Sequence, residues 1–184
     1  MESIEPAQPA NPAQEEDEAF HAVYLGLGSN QGDRDALLRA ALDRLRPYVT
    51  VERLSSVYDT APLLVTEQPR FHNLVAAGRT SLTPLALLRA AKQIERALGR
   101  VPGPRYGPRL IDIDLLFYDD LVLHSAELTL PHPRVAERAF VLAPLAEIAP
   151  DLRHPTLSNT AAELAAALAG ADVRTLGPLL PAEG

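Results

Sequence analysis

Two aspartates one residue apart, Asp112 and Asp114, are the pair in this 184-residue chain best suited to carry chemistry. They sit in the apolar run Leu110-Ile111-Asp112-Ile113-Asp114-Leu115-Leu116-Phe117-Tyr118, beyond a Gly107-Pro108 breaker, and that pattern predicts a strand. Strand alternation puts both carboxylates on one face, roughly 7 Å apart at their Cα atoms. Leu110, Leu116 and Tyr118 share that face in this reading, and Ile111, Ile113, Leu115 and Phe117 take the other. A face apolar at both ends with two carboxylates between them is a lined pocket rather than a solvated surface. Like charges so close repel, and partial burial makes both more costly. Protonating one, pairing with Arg105 or Arg109, or binding a divalent cation each relieves the repulsion. A salt-bridged strand and a Mg²⁺ site serving a polyphosphate are both open at this point. Hard oxygen ligands beside arginines favour the second.

The bulk composition narrows the field. Hydrophobic content of 47% and charged content of 22% are those of an ordinary globular protein, and the length suits one domain. No apolar run is long enough to span a membrane, and no basic-then-apolar start marks a secretory segment. With no cysteine, disulfides, thiolate metal sites and a cysteine nucleophile are excluded, so a cytoplasmic location is expected. Six of the acids fall within residues 1–19, where there is no Lys or Arg, and the remainder carries only −1 of the net −7. That nearly neutral body argues against a nucleic-acid binder. Residues 1–19 read as a disordered acidic, Pro-rich tail and 20–184 as a single domain.

The elements that must position the aspartates follow in order. His21–Gly28 predicts a strand ending in the turn Gly28-Ser29-Asn30-Gln31-Gly32-Asp33, which lacks the lysine and spacing of a P-loop. Asp33 to Arg46 has helical spacing and stops at Pro47. Val49 to Tyr58 reads as a strand, Thr60 to Pro69 as a loop, and Phe71 to Ala77 as a further strand. Thr83-Pro84 opens a helix closed by Gly99, and a Pro/Gly-rich loop leads into the aspartate strand. A short hairpin over 121–130, a helical segment over 131–138, an apolar stretch over 139–148 and a capped Ala-rich helix over 161–169 follow. The order βαβ-βαβ predicts an α+β fold: a ferredoxin-like antiparallel sheet with helices packed on it and an α-rich C-terminal extension.

Several segments taken together resemble the 6-hydroxymethyl-7,8-dihydropterin pyrophosphokinase family. They are Leu27-Gly28-Ser29-Asn30, Ser55-Ser56-Val57-Tyr58 with Thr60 and Pro62, Phe71-His72-Asn73, and Ile94-Glu95 through Gly99-Arg100. They continue with Gly107-Pro108-Arg109, Asp112-Ile113-Asp114, Leu130-Pro131-His132-Pro133 and Arg138-Ala139-Phe140-Val141-Leu142. The resemblance implies transfer of the β,γ-pyrophosphoryl group of ATP to the pterin hydroxymethyl oxygen, with release of AMP, by a monomer with no nucleic-acid or membrane partner. It implies two Mg²⁺ ions held by Asp112 and Asp114, with Arg100 and Arg109 as catalytic arginines over the polyphosphate. Lys92, Glu95, His132 and Arg138 are implied on the ATP side beside those arginines. Phe71 and Phe140 would sandwich the pterin, with Asn73, Thr60 and Leu63 at its edge and Tyr106 closing over it. The chain departs from some relatives at Pro102-Gly103-Pro104, where others carry basic residues, and at Glu127 and Pro133, where others carry an arginine and an aromatic.

Overall fold

The computed structural model describes residues 19–62, 67–101 and 107–180. In chain order the elements are β1 (His21–Ser29), α1 (Arg34–Leu45), β2 (Thr50–Leu54), β3 (Val57–Thr60), β4 (Phe71–Thr80) and α2 (Pro84–Ala97). After them come β5 (Asp112–Tyr118), β6 (Leu123–His124), β7 (Thr129–Leu130), α3 (Ala139–Ile148), α4 (Ala161–Ala167) and β8 (Val173–Gly177). Among the described residues the fold is mixed α/β, with four α-helices and an antiparallel sheet ordered β5-β1-β4-β3-β8, and with β2 also paired to β4. The expected acidic tail lies, except for Ala19, outside the described residues.

Local chemistry sets most boundaries. Asp33 caps α1 by accepting the Ala36 N–H at 2.9 Å, and Thr83 with Pro84 starts α2. Gly99 then takes φ +92°, the left-handed value that suits glycine after a helix. Thr160 and Glu163 form a reciprocal capping box on α4.

The stretch expected as one strand from Val49 to Tyr58 is two. At Ser55 the chain turns aside: its N–H donates to the Val75 carbonyl, and its hydroxyl accepts from the Val75 N–H. The helix expected over 131–138 is only a 3₁₀ turn at Val135–Glu137. β8, ambiguous in the sequence, is a mostly exposed edge strand.

Two apolar layers hold the sheet. Val23, Leu25 and Leu27 of β1, with Ile113 and Leu115 of β5, pack under α1 and α2. Val75, Leu116 and Phe117 pack on the opposite side against Val141, Leu142 and Leu145 of α3. Leu142 and Leu145 are fully buried, each contributing about 1.5–3 kcal/mol. The face assignment in β5 differs from strict alternation at one place. Tyr24 pairs with Phe117 but Leu25 with Leu115, so Leu116 is an extra, bulged residue. Beyond that bulge parity inverts: Phe117 joins the aspartate face, and Tyr118 turns to the α1/α2 side, where its hydroxyl donates to the Leu82 carbonyl at 2.9 Å.

Candidate active site

Asp112 and Asp114 emerge on the α3 side of β5, whose outer edge has no neighbouring strand among the described residues. Side chains of α2 cover that edge between them. The Glu95 carboxylate accepts the Ile113 N–H at 2.7 Å, and Lys92 Nζ donates to the Ile113 carbonyl at 3.3 Å. Glu95 is only 2% exposed, and it also binds Lys92 Nζ at 2.8 Å and the Arg100 guanidinium. A buried carboxylate needs such partners.

The two aspartates are held differently. Asp112 pairs with Arg109 at 2.5 Å and with Arg100 at 2.8 Å, and Lys92 stands 4.0 Å away. Asp114 has Arg138 at 3.5 Å and His132 Nε2 at 3.9 Å. Burial pushes both carboxyls up. For Asp112 the charges of Arg109, Lys92 and Arg100 outweigh it and hold the group below the usual carboxylate range. For Asp114 the burial and then the charge of Asp112 prevail, and its pKa is raised.

His132 is tied to β5 by its N–H to the Leu116 carbonyl at 2.9 Å. Its Nδ1 accepts the Arg134 N–H at 3.1 Å, which leaves Nε2 to carry the proton of the neutral ring on the Asp114 side. Burial and the nearby Arg138 charge lower its pKa to about 4. Arg138, at the N-terminus of α3, lies 5.5 Å from the Phe140 ring centroid. Its buried Nε has no hydrogen-bond partner among the described residues.

These groups surround one cavity of about 340 Å³. Near β5 it is lined by Arg109, Asp112, Asp114, His132, Arg134 and Arg138; across β1 it is lined by Thr60, Phe71 and Asn73, and Phe140 lies beside Arg138. Asn73 is buried and donates to Thr60 Oγ1 at 2.7 Å. Gly28 makes room for it, since a Cβ there would stand 2.4 Å from Asn73 Oδ1. Two aromatic rings and a buried amide in one lining suit a planar heterocycle. Two carboxylates and several cations in the same lining suit a polyphosphate.

The structure thus brings nine residues singled out from the sequence into one cavity: Thr60, Phe71, Asn73, Arg109, Asp112, Asp114, His132, Arg138 and Phe140. Lys92, Glu95 and Arg100 are not among its lining residues; they stand behind Asp112, joined to it through ion pairs. Leu63 and Tyr106 lie outside the described residues. Sequence reasoning passed over Arg134 and Gln68, which also line the cavity. Neither falls in a periodic pattern, and only adjacency to His132 and to Phe71 hinted at them.

A family model described as 7,8-dihydro-6-hydroxymethylpterin-pyrophosphokinase (HPPK) matches residues 24–150. The 2-amino-4-hydroxy-6-hydroxymethyldihydropteridine pyrophosphokinase of Methylorubrum extorquens is 51% identical over 132 residues, covering 71% of this chain and 84% of that protein. Its Bacillus subtilis namesake is 45% identical over 128 residues, covering 68% and 77%. The mitochondrial folate synthesis bifunctional protein of Arabidopsis thaliana is 48% identical over 129 residues, or 70% of this chain, which spans only 23% of that protein's length. Among solved structures, the HPPK-DHPS of Plasmodium falciparum shares the fold with a TM-score of 0.70 at 17% identity, covering 85% of this chain and 47% of that one. With matching motifs in order and a cavity that gathers them, the chain belongs to the 7,8-dihydro-6-hydroxymethylpterin-pyrophosphokinase family.

Proposed function

We propose that this protein transfers the terminal pyrophosphoryl group of ATP to the hydroxymethyl oxygen of 6-hydroxymethyl-7,8-dihydropterin, releasing AMP, as a step in folate synthesis. The observation that carries the reading is a single cavity lined both by two aromatics, Phe71 and Phe140, and by the Asp112/Asp114 pair among cations. A bond forms between the hydroxymethyl oxygen and the β-phosphorus, the bridge between the α- and β-phosphates breaks, and the hydroxyl proton is lost. Such transfers depend on positioning and electrostatics more than on covalent chemistry.

The chain's residues divide that work. Phe71 and Phe140 clasp the pterin ring, and Asn73 and Thr60 read its edge. Arg109, His132 and Arg138 bind phosphate oxygens, the histidine as a neutral Nε2–H donor. Arg138 Nε supplies a donor that no described protein group uses. Arg100, Lys92 and Glu95 act from behind: Glu95 aligns the strand and keeps Arg100 beside Asp112. Mg²⁺ suits the donor set, because that ion is commonly held by one or two carboxylates and substrate phosphates. Two ions at Asp112 and Asp114 would neutralise charge developing on the phosphates. The observation of fit is the donor set itself: two carboxylates line one cavity, and among the described residues no cation stands closer to Asp114 than Arg138 at 3.5 Å.

The sheet order β5-β1-β4-β3, with α1 and α2 on one face, supports the ferredoxin-like reading of the core, and we assign residues 20–184 to one catalytic domain. No helix among the described residues is long and apolar enough to cross a membrane. The cysteine-free sequence suits a cytoplasmic location, and we assign the protein as a monomer. Incubation with ATP, Mg²⁺ and the pterin, followed by chromatography of the nucleotides, tests the function. Pterin-dependent AMP is expected; ADP would indicate a simple kinase, and no turnover a binding module.

A further inference from the structure

Separate loop segments lead into the two strands, β5 and β4, that carry Asp112 and Asn73, and one buried side chain joins both. Asn30 follows β1 directly and is 1% exposed. Its N–H donates to the Arg109 carbonyl at 3.1 Å, and its Oδ1 accepts the Arg109 N–H at 2.7 Å. Its Nδ2 donates to Gln68 Oε1 and to the Pro69 carbonyl, both at 3.1 Å. The Arg109 segment leads to Asp112, and the Gln68–Pro69 segment leads to Phe71 and Asn73. β1 is hydrogen-bonded to β4 on one side and β5 on the other, so Asn30 follows directly from a strand held on both edges. A displacement of Pro69 shifts one end of an amide whose other end fixes the backbone of Arg109.

We propose that Asn30 is a positioning residue that couples the two subsites, so that filling the aromatic subsite orders Arg109 at the phosphate subsite and the reverse. The inference rests on the pyrophosphokinase reading for the identity of the two ligands. By linkage the coupling is reciprocal in the two affinities. A buried amide with every bond made is suited to transmit such a shift, because leaving any of its partners unmet is costly.

The test uses the full chain and a non-hydrolysable ATP analogue with Mg²⁺. The affinity for 6-hydroxymethyl-7,8-dihydropterin is measured with and without the analogue in wild type, Asn30→Ala and Asn30→Asp. The aspartate keeps an acceptor for the Arg109 N–H but sets an oxygen against the Pro69 carbonyl, which has no donor to offer, so the bond to that segment is lost. In wild type the analogue is expected to tighten pterin binding at least about tenfold. In Asn30→Asp that ratio is expected to fall below about threefold, with each ligand's separate affinity changed by less than the ratio. Steady-state kinetics should show the pterin KM rising more than kcat falls in Asn30→Asp, and both changing in Asn30→Ala. Should Asn30→Ala fail to fold, the aspartate variant and amide exchange in wild type decide. The Arg109 N–H should exchange at least about tenfold more slowly once the aromatic subsite is filled. A folded Asn30→Asp with the wild-type ratio, or an Arg109 amide indifferent to the pterin, overturns this inference while leaving the activity intact. A wild-type chain that releases no AMP overturns the underlying reading and this inference with it.

Discussion

Replacing Glu95 by Gln separates an anchoring role from a ligand-binding one. The native carboxylate is 2% exposed and takes donors from Lys92, Arg100 and the Ile113 backbone. Glutamine keeps one oxygen, which can still accept from Ile113. Its NH₂ then faces a cationic donor, and the charge is gone. Two charge-assisted bonds are each worth about 1.5–3 kcal/mol. Arg100 and Lys92 are 24% and 33% exposed, so water recovers part of the loss. We expect destabilisation of about 3 kcal/mol, equivalent to roughly 6–12 °C in Tm for a chain of this size. Urea denaturation at pH 7 should show a lower midpoint with an unchanged slope. Affinity for an ATP analogue should weaken by less than about tenfold, through the loosened Arg100 and Asp112 alone. An unchanged midpoint with a hundredfold loss of nucleotide affinity would refute the anchoring account and make Glu95 a direct ligand.

Three other outcomes follow from the same geometry. The raised pKa of Asp114 means that its ionisation opposes folding: its contribution is most favourable below the unfolded value of 3.8 and is lost as pH rises through the folded one. Asp114→Asn should therefore match or exceed wild type in Tm at pH 7, converge with it near pH 3, and lose about 10³-fold or more in turnover; near-normal turnover would refute the site. His132 works in the opposite sense, because a histidine lowered from 6.5 to about 4 loses stability as pH falls between those values. Wild type should lose about 3 kcal/mol there that His132→Gln retains, read from denaturation midpoints at pH 7 and 4. Gly28→Ala puts a methyl where Asn73 Oδ1 now lies, 2.4 Å from the new carbon; the pterin KM should rise about 10–100-fold with nucleotide affinity nearly unchanged.

Much of this was legible before any coordinates, and particular residues show why. Alternation places Asp112 and Asp114 on one face because β5 is regular up to Leu115. The parity change at Phe117 is not readable, since the bulge exists only in the pairing with β1. The helical spacing through Ala91, Ile94 and Glu95 does run along the buried stripe of α2, but nothing local says that Ile113 and Arg100 will meet that carboxylate. β8 escapes prediction because an exposed edge strand of five residues has no apolar alternation to detect. The Ser55 break and the Asn30 junction likewise depend on backbone groups from distant segments. Residue patterns of the site were readable where one strand or helix sets them. Those set by loops meeting across the fold were not.

The central claim is that two phosphoryl groups leave ATP together and reach the pterin. ATP labelled with ³²P at the β-phosphate tests it most directly, in a single turnover with Mg²⁺ and excess 6-hydroxymethyl-7,8-dihydropterin. The label is expected to move wholly to the pterin product, leaving unlabelled AMP. Label retained in ADP, with only the γ-phosphate transferred, would contradict the account.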